Sequence, residues 1–268
     1  MPHFIKLGGS LITDKNQALT PRPQTIRRLA HEFARVWQAQ PQQQWVLSHG
    51  SGSYGHAAAQ QHRTRQGVQN ATGWAGFAQV GHVAAQLNRL VMAELLSAGV
   101  PAISFAPSAL ARCHNRRITH LHTPPILTAL RHQLVPVLFG DVAFDDALGG
   151  TIVSTEEVLA ALAQDLPPRH LTLVGLVDGV FDADPVRHPR ARHIPHLRLA
   201  DLPALRKALG DSHGVDVTGG MAGKIDEMAR LLRQFPQTHI HLISGEEPGH
   251  FLRHLQNPEL PLGTTLTG

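Results

Sequence analysis

The sequence has 268 residues, a length at which one large domain or two lobes sharing a sheet can bury a full core. Its formal net charge is +4, its pI is near 9.8, and it contains a single cysteine, Cys113. One cysteine excludes a disulfide framework and a cysteine-based zinc site. No signal-peptide pattern and no apolar run near the roughly 20 residues that cross a bilayer is found, so we expect a cytoplasmic protein with no membrane partner. The arginines are scattered and aromatic residues make up only 5%, so the positive charge does not predict a nucleic-acid partner. The nineteen histidines are dispersed and show no metal-ligand spacing.

Strand-like apolar runs alternate with helical patterns along the chain. Apolar runs predict strands at 3–7, 45–48, 101–105, 134–140, 170–177 and 238–244. Helical periodicity predicts helices at 23–39, 76–97, 155–164, where Ser154 or Thr155 would be the N-cap, and 222–235. Residues 140–150 have the composition of a loop or hairpin and could mark a lobe boundary, and residues 182–198 resemble a surface excursion. The alternation predicts an α/β protein, a three-layer αβα open sandwich with a mainly parallel sheet.

Four glycine-rich turns follow or border the apolar runs, where a parallel sheet binds its ligands. Their glycines would let phosphate groups approach backbone N–H groups. None is a Walker A loop, and no GxGxxG follows the first strand. Only four of the 24 basic residues are lysines, and three of those lie in these turns. The turns are KLGGSLITDK (6–15), HGSGSYGH (49–56), VDGVFDADP (177–185) and DVTGGMAGK (216–224).

Together with GDV (140–142), these four motifs resemble the amino acid kinase superfamily, and within it they are most similar to the isopentenyl phosphate kinases. The resemblance runs from residue 4 to the end of the chain. It implies an ATP-dependent transfer of the γ-phosphoryl group to isopentenyl phosphate, which gives isopentenyl diphosphate. It also implies one domain over 1–268, with the acceptor in the lobe 1–145 and the nucleotide in the lobe 146–268. ATP and Mg²⁺ are the expected cofactors, and a homodimer is the expected assembly.

The resemblance also assigns roles to residues of the four turns. Lys6 and Lys15 would contact the transferring phosphoryl group from two sides, Lys224 would hold the β- and γ-phosphates, and His56 would donate a hydrogen bond to the acceptor phosphate. Glu156 falls where the superfamily places an acidic residue that orients the lysines. The expected ATP-binding residues are Lys6, Gly8, Gly9, Ser10, Gly52, Asp178, Gly179, Gly220 and Lys224. The expected acceptor-binding residues are Gly50, Ser51, Gly55, His56, Gly150 and Thr151.

Several positions keep two interpretations open. An apolar stripe on the helix after the phosphate loop could form the pocket for the isoprenyl tail or could be ordinary core; it comprises Trp74, Phe77, Val80 and Val83. Asp182 and Asp184 could be turn residues, and Asp14 and Asp141 are as compatible with structural roles as with functional ones. We expect His49 to be a packed histidine. Ser51 stands where the superfamily usually has glycine, so its side chain must be accommodated.

Other functions remain compatible with the same turns. A kinase of another small phosphate or phosphonate, such as a fosfomycin-type antibiotic, would use the same loops with a smaller and more polar pocket. A nucleotide-binding sensor without catalysis would share the fold, although the lysines argue against it. An amino-acid kinase is less favoured, because no dedicated acidic and arginine pair for an α-amino-acid head group is evident.

Overall fold

The computed structural model describes residues 1–55, 64–183, 188, 190–203 and 220–268, with only the backbone for 220–226. Its helices are α1 (Gly9–Ile12), α2 (Pro23–Ala39), α3 (Ala71–Ser97), α4 (Pro107–Leu110), α5 (Pro124–Arg131), α6 (Thr155–Asp165), α7 (Gly220–Gln234) and α8 (His250–Gln256). Its strands are β1 (His3–Leu7), β2 (Trp45–His49), β3 (Ala102–Ser104), β4 (Ala111–His114), β5 (Arg117–Leu121), β6 (Val135–Phe139), β7 (Asp141–Asp145), β8 (Gly149–Val153), β9 (His170–Gly175), β10 (Val180–Phe181), β11 (His193–Ile194), β12 (His196–Arg198), β13 (His239–Ser244) and β14 (Thr264–Thr267).

Eight strands form the main sheet, in the order β12-β14-β13-β9-β1-β2-β6-β3. The six from β13 to β3 are parallel to their neighbours, and β14 runs antiparallel to β13. The central strands β1, β2 and β6 are buried along their whole length on both faces, which explains their apolar runs. Strands β2, β3 and β6 lie on one side of β1 in this sheet, and β9, β12, β13 and β14 lie on the other side.

Helices cover both faces of this sheet, so the three-layer prediction is confirmed. Helices α2, α3 and α8 pack on one face through residues such as Phe33, Leu87 and Phe251. Helices α5, α6 and α7 pack on the other face through residues such as Ile126, Leu162 and Leu232. Alternate residues of β1 serve the two cores, with Ile5 in the first and Phe4 in the second. The period-2 alternation of a strand therefore feeds two separate apolar layers.

A smaller four-stranded sheet, in the order β5-β4-β7-β8, stands beside the main one. The 140–150 segment forms its β7–β8 antiparallel hairpin, which is one of the two structures expected there. The turn of that hairpin is fixed by Asp145, whose Oδ1 accepts hydrogen bonds from the backbone of Ala147 and Leu148. The division between 145 and 146 falls within this turn, and the two-lobe assignment stays a prediction.

The helix starts follow local capping chemistry. Ser154 accepts a hydrogen bond from the Glu157 backbone while the Glu157 carboxylate accepts one from the Ser154 backbone, which makes a capping box at the start of α6. Helix α3 begins five residues earlier than expected, because the Asn70 side chain accepts from the Gly73 backbone and caps it there.

The expectation that 182–198 is only a surface excursion is wrong for its last residues, since β12 pairs with β14 at the edge of the main sheet.

Candidate active site

The carboxyl ends of the parallel strands form one glycine-lined edge. The backbone N–H of Gly8 donates to Val174 O (2.7 Å), that of Gly50 to Leu7 O (2.9 Å), and that of Gly245 to Gly175 O (2.8 Å). These bonds join the ends of β13, β9, β1 and β2 side by side. Strands β1 and β9 are parallel, but the order in which strands are added to the sheet reverses between them, and ligands of open α/β sheets bind at such a switch point.

The first two glycine-rich turns pack backbone against backbone at this edge. A Cβ added at Gly9 would lie 2.3 Å from Gly52 N, and one added at Gly50 would lie 2.8 Å from Gly9 N. Gly52 has φ +51°, and a Cβ there would lie 2.1 Å from Thr13 Oγ1. Glycine is therefore required at these positions by the contact between the two turns themselves, a reason that the sequence motifs did not reveal.

Thr13 links the two turns and was not among the expected site residues. Its hydroxyl donates to Gly9 O (2.7 Å) and accepts from the Ser53 backbone N–H (2.9 Å). The Ser51 side chain is accommodated because Gly55 offers no side chain; a Cβ on Gly55 would lie 2.1 Å from Ser51 Oγ. A helical turn at 52–55 continues from this point, and His56 lies outside the described residues.

Lys6 and Glu156 meet at the centre of the edge. Lys6 lies on β1 and is nearly buried, and its Nζ donates to Glu156 Oε1. Glu156 is the second residue of α6, so the capping box that fixes this helix start also fixes the carboxylate. The structure thus brings together two residues 150 positions apart that the resemblance had assigned to one function.

The other lysines of the expected site lie in different surroundings. Lys15 is exposed in the turn after α1, and Ser10 lies within α1. Helix α7 begins at Gly220, which places Lys224 in its first turns, while the Lys224 side chain lies outside the described part. The geometry therefore describes the Lys6–Glu156 pair, and the convergence of three lysines stays a prediction.

Glu227 is a half-buried carboxylate that sequence reasoning missed. It lies three residues after Lys224 on α7, and residues three apart share a helix face. Burial raises the pKa of the Glu227 carboxyl, and the nearby Glu157 raises it further, whereas Lys6 acts to lower it. Its proximity to the Lys6 ammonium adds a carboxylate to the site. The spacing from Lys224 on a helical pattern was the available signal.

The turn after β9 forms the other side of the edge. Gly179 has φ +128°, and a Cβ there would lie 2.4 Å from Thr264 Oγ1, which in turn accepts from the Val180 backbone N–H (2.8 Å). The preceding Asp178 side chain is 65% exposed. Asp182 closes its turn by accepting from the Arg192 backbone N–H (2.7 Å), as expected of a turn residue, and Asp184 lies outside the described residues.

An aromatic cluster lies beside Gly150, one of the expected acceptor residues. The rings of Trp74, Phe77 and Phe144 lie with centroids 5.3 to 6.1 Å apart, and a Cβ on Gly150 would lie 2.7 Å from the Phe77 ring. Trp74 and Phe144 remain 38% and 44% exposed. Thr151 is fully buried, with no partner for its hydroxyl among the described residues. Phe144 was not predicted, because it lies on β7 rather than on the helical stripe.

The remaining candidates of the stripe, together with His49 and Asp141, are buried. Val80 and Val83 lie in the core of the first face, which agrees with the core interpretation of that stripe. His49 is packed as expected, with its ring stacked on Phe139 at 5.6 Å. Asp141 accepts from the Ser108 backbone N–H (3.1 Å), and burial raises the pKa of its carboxyl.

Among the described residues, no group of three His, Cys, Asp or Glu side chains is arranged to hold a metal ion. Magnesium in phosphoryl-transfer sites takes many of its ligands from phosphates and water, so the few carboxylates here, Glu156 and Glu227, fit a site completed by a nucleotide. Within the same part of the chain, no helix is both long enough and apolar enough to span a bilayer.

Comparison with known proteins identifies the family. The family model described as "Amino acid kinase family" matches residues 1–244. The chain belongs to the amino acid kinase family. An isopentenyl phosphate kinase of Methanothermobacter thermautotrophicus is 34% identical over 99% of this chain and 98% of its own length, and one of Haloferax volcanii is 34% identical over 93% and 97%.

Solved structures agree with this assignment. A chain described as "X-ray structures of isopentenyl phosphate kinase" superposes with a TM-score of 0.82 at 29% identity, and the match covers 100% of both chains. The amino acid kinase fold expected from the sequence is therefore confirmed, and with it the assignment to the phosphotransferases.

Proposed function

We propose that this protein transfers the γ-phosphoryl group of ATP to isopentenyl phosphate and so forms isopentenyl diphosphate and ADP. The observation that carries the proposal is the Lys6–Glu156 pair at the switch point of the sheet. It stands in a chain that matches isopentenyl phosphate kinases along nearly its whole length. An acidic residue that fixes a nearly buried ammonium beside two backbone turns suits the binding of a highly charged phosphoryl group.

The reaction requires positioning and charge neutralisation rather than covalent help from the protein. A phosphate oxygen of the acceptor attacks the γ-phosphorus, the bond to the β–γ bridging oxygen breaks, and ADP leaves. No proton must be removed, because the attacking oxygen is already anionic. Lys6, held by Glu156, would neutralise charge on the transferring group. Lys15 and Lys224 would add charge from the two flanking turns.

The acceptor would bind on the β2 side of the edge. Backbone N–H groups of the 50–55 turn and His56 would hold its phosphate, together with Gly150 and Thr151. The exposed rings of Trp74 and Phe144, beside Phe77, offer an apolar surface for a short isoprenyl tail. A small polar phosphonate would leave these rings in water, and this favours the alkyl phosphate over a fosfomycin-type acceptor.

The nucleotide would bind on the β9 side, across the turn of Asp178 and Gly179 and the start of α7 at Gly220. Glu156 and Glu227 would help to hold Mg²⁺ together with the nucleotide, and the ion would neutralise phosphate charge. The proposal also includes a homodimer and a cytoplasmic location. The single cysteine, Cys113, is a free buried thiol whose pKa burial raises to about 11, which keeps it protonated and inert.

The test is coupled ADP release with Mg-ATP and a panel of acceptors: isopentenyl phosphate, dimethylallyl phosphate, fosfomycin, uridylate and acetylglutamate. We expect strong turnover with isopentenyl phosphate. Turnover with another acceptor alone would keep the fold and refute the substrate. No turnover with any of these acceptors would favour a nucleotide-binding sensor without catalysis.

Two variants connect turnover to the site. Lys6→Ala should abolish turnover of isopentenyl phosphate while the protein stays folded, because it removes charge at the transferring group. Lys207→Ala is the matched control, since Lys207 lies outside all four glycine-rich turns of the sequence. Equal activity of the two variants would refute the role of Lys6.

A further inference from the structure

A carboxylate and a buried imidazole face each other on the nucleotide side of the edge. Asp178 follows β9 and is largely exposed, whereas His250, the first residue of α8, is 7% exposed. Asp178 Oδ1 lies 3.9 Å from His250 Nδ1. That nitrogen is buried and has no hydrogen-bond partner among the described residues.

The backbone on both sides of this pair is held firmly. The glycine after Asp178 packs on Thr264, as described above. Glu32 of α2 accepts hydrogen bonds from the backbone N–H groups of Gly249 (3.0 Å) and Leu252 (3.1 Å), which fixes the start of α8 on either side of His250. The Asp178 side chain is therefore the part of the pair that can move.

A separation of 3.9 Å is too long for a hydrogen bond, and a buried nitrogen without a partner is unfavourable. A small rotation of the exposed Asp178 side chain would bring its oxygen within reach of His250 Nδ1. The second carboxylate oxygen would then face the open edge of the sheet. A ligand that donates a hydrogen bond to this second oxygen would therefore complete the hydrogen bonding of the carboxylate.

The chemistry of the pair points to hydroxyl donors on that ligand. A free carboxylate repels phosphate but accepts hydrogen bonds from sugar hydroxyls, as acidic residues near switch points do with ribose. Leu176 and Val177, just before Asp178, are 42% and 40% exposed. They provide an apolar surface on which a nucleobase can lie next to that sugar.

We propose that Asp178 accepts hydrogen bonds from the ribose hydroxyls of the phosphoryl donor and that His250 positions the carboxylate by donating from Nδ1. This inference rests on the proposed function, since it takes a nucleoside triphosphate as the donor. It makes His250 a residue that determines sugar specificity. The enzyme should therefore distinguish a ribonucleotide from its 2′-deoxy counterpart.

Equilibrium binding of ADP and 2′-deoxy-ADP, measured by calorimetry in the presence of EDTA, tests the proposal. The wild-type protein should bind ADP about tenfold more tightly, which corresponds to about 1.4 kcal/mol. Asp178→Asn should lose most of this preference. His250→Leu should lose part of it, and His250→Asn, whose amide can donate from nearly the same position as Nδ1, should restore it.

Three results would overturn the inference. Equal affinity of the wild-type protein for the two nucleotides would refute the contact between Asp178 and the ribose hydroxyls. A preference that appears only when Mg²⁺ is added would assign Asp178 to the metal. An equal loss of both affinities in His250→Leu would assign His250 a structural role. Because no acceptor is present, failure to turn over isopentenyl phosphate leaves this test intact, whereas no binding of ADP either in EDTA or with Mg²⁺ would refute both proposals.

Discussion

Lowering the pH from 7 to 5 should destabilise the protein through a layer of buried imidazoles. This layer comprises the buried His3, His241 and His254, with the half-buried His170 beside them, on the face of the sheet covered by α2 and α8. Neighbouring rings lie with centroids 4.8 to 5.3 Å apart. Thr172 Oγ1 is hydrogen-bonded to His3 Nε2 (2.8 Å) and to His254 Nε2 (3.0 Å). A neutral imidazole has one donor nitrogen and one acceptor nitrogen, so neutral rings can satisfy both contacts.

Burial lowers the pKa of His254 to about 4, with further lowering by His170 and His250. Burial likewise lowers the pKa of His170 to about 4 and that of His241 to about 2. The unfolded chain binds these protons near pH 6.5. Acid therefore favours the unfolded state: the stabilising contribution of each neutral imidazole is complete above about pH 7 and falls as the pH passes through 6.5. It stops falling below about pH 4 for His170 and His254, and only below about pH 2 for His241.

The linkage relation gives a loss of about 2 kcal/mol for each buried imidazole between pH 7 and 5, and less for the half-buried His170, which solvent screens. This value hardly depends on how far below 5 the folded pKa lies, because the folded imidazole stays neutral over the whole interval. Domains are stable by about 5–15 kcal/mol, so several such groups would remove a large share.

Urea unfolding at pH 7 and pH 5 measures this loss. His254→Gln keeps a hydrogen-bonding side chain beside Thr172 but cannot titrate, so its loss between the two pH values should be smaller than that of the wild type by about 2 kcal/mol. His82→Gln, which removes an exposed imidazole, is the matched control. The same pH dependence in His254→Gln and the wild type would refute the reasoning, whatever the stability at pH 7.

Three further predictions concern the site. Glu156→Gln keeps the size of the side chain but removes the negative charge beside Lys6, and should lower kcat by about 10-fold or more while KM for ATP changes little, as steady-state kinetics would show; unchanged kcat would contradict a role of this charge. Gly52→Ala should destabilise the protein by more than about 1 kcal/mol relative to Gly99→Ala in urea unfolding, because both positions have positive φ but only Gly52 lacks space for a Cβ. Phe144→Ala should raise KM for isopentenyl phosphate several-fold and leave KM for ATP unchanged, with the exposed Leu96→Ala as control; an equal effect in both variants would exclude Phe144 from the acceptor surface.

The six parallel strands of the main sheet were predictable because they are rich in apolar residues, whereas β12 and β14 at its edge were not predicted. Continuous apolar runs such as 45–48 and 170–177 gave the parallel strands to within two residues, and α2 was predicted with its observed bounds. Apart from its β7–β8 hairpin, the smaller sheet was not predicted, because strands such as β5 are mostly exposed and lack a continuous apolar run. Its pairing depends on tertiary contacts that no local pattern encodes.

The site was predictable to the extent that glycines and lysines concentrate in motifs. Contacts across long sequence separations were not predictable. The site residues missed for this reason are Thr13, Phe144, Glu227 and His250. Phe144 and His250 lie on elements whose position relative to the motifs is set by the topology of the sheet, whereas Thr13 lies within the first motif and its contact to Ser53 spans 40 positions. Local spacing could at most have suggested Glu227, since it follows Lys224 by three residues on one helix.

The position of β1 explains why residues 150 apart in sequence meet. This strand pairs with β2 on one side and β9 on the other, so Lys6 stands at the seam between the first and second halves of the sheet. Glu156 reaches the same seam because the β7–β8 hairpin returns the chain to the edge just before α6 begins. If the acceptor binds beside β2 and the nucleotide beside β9, this seam is where their phosphates meet. A single fixed ammonium at that point can then neutralise charge shared by both substrates, which is the requirement that phosphoryl transfer places on the protein.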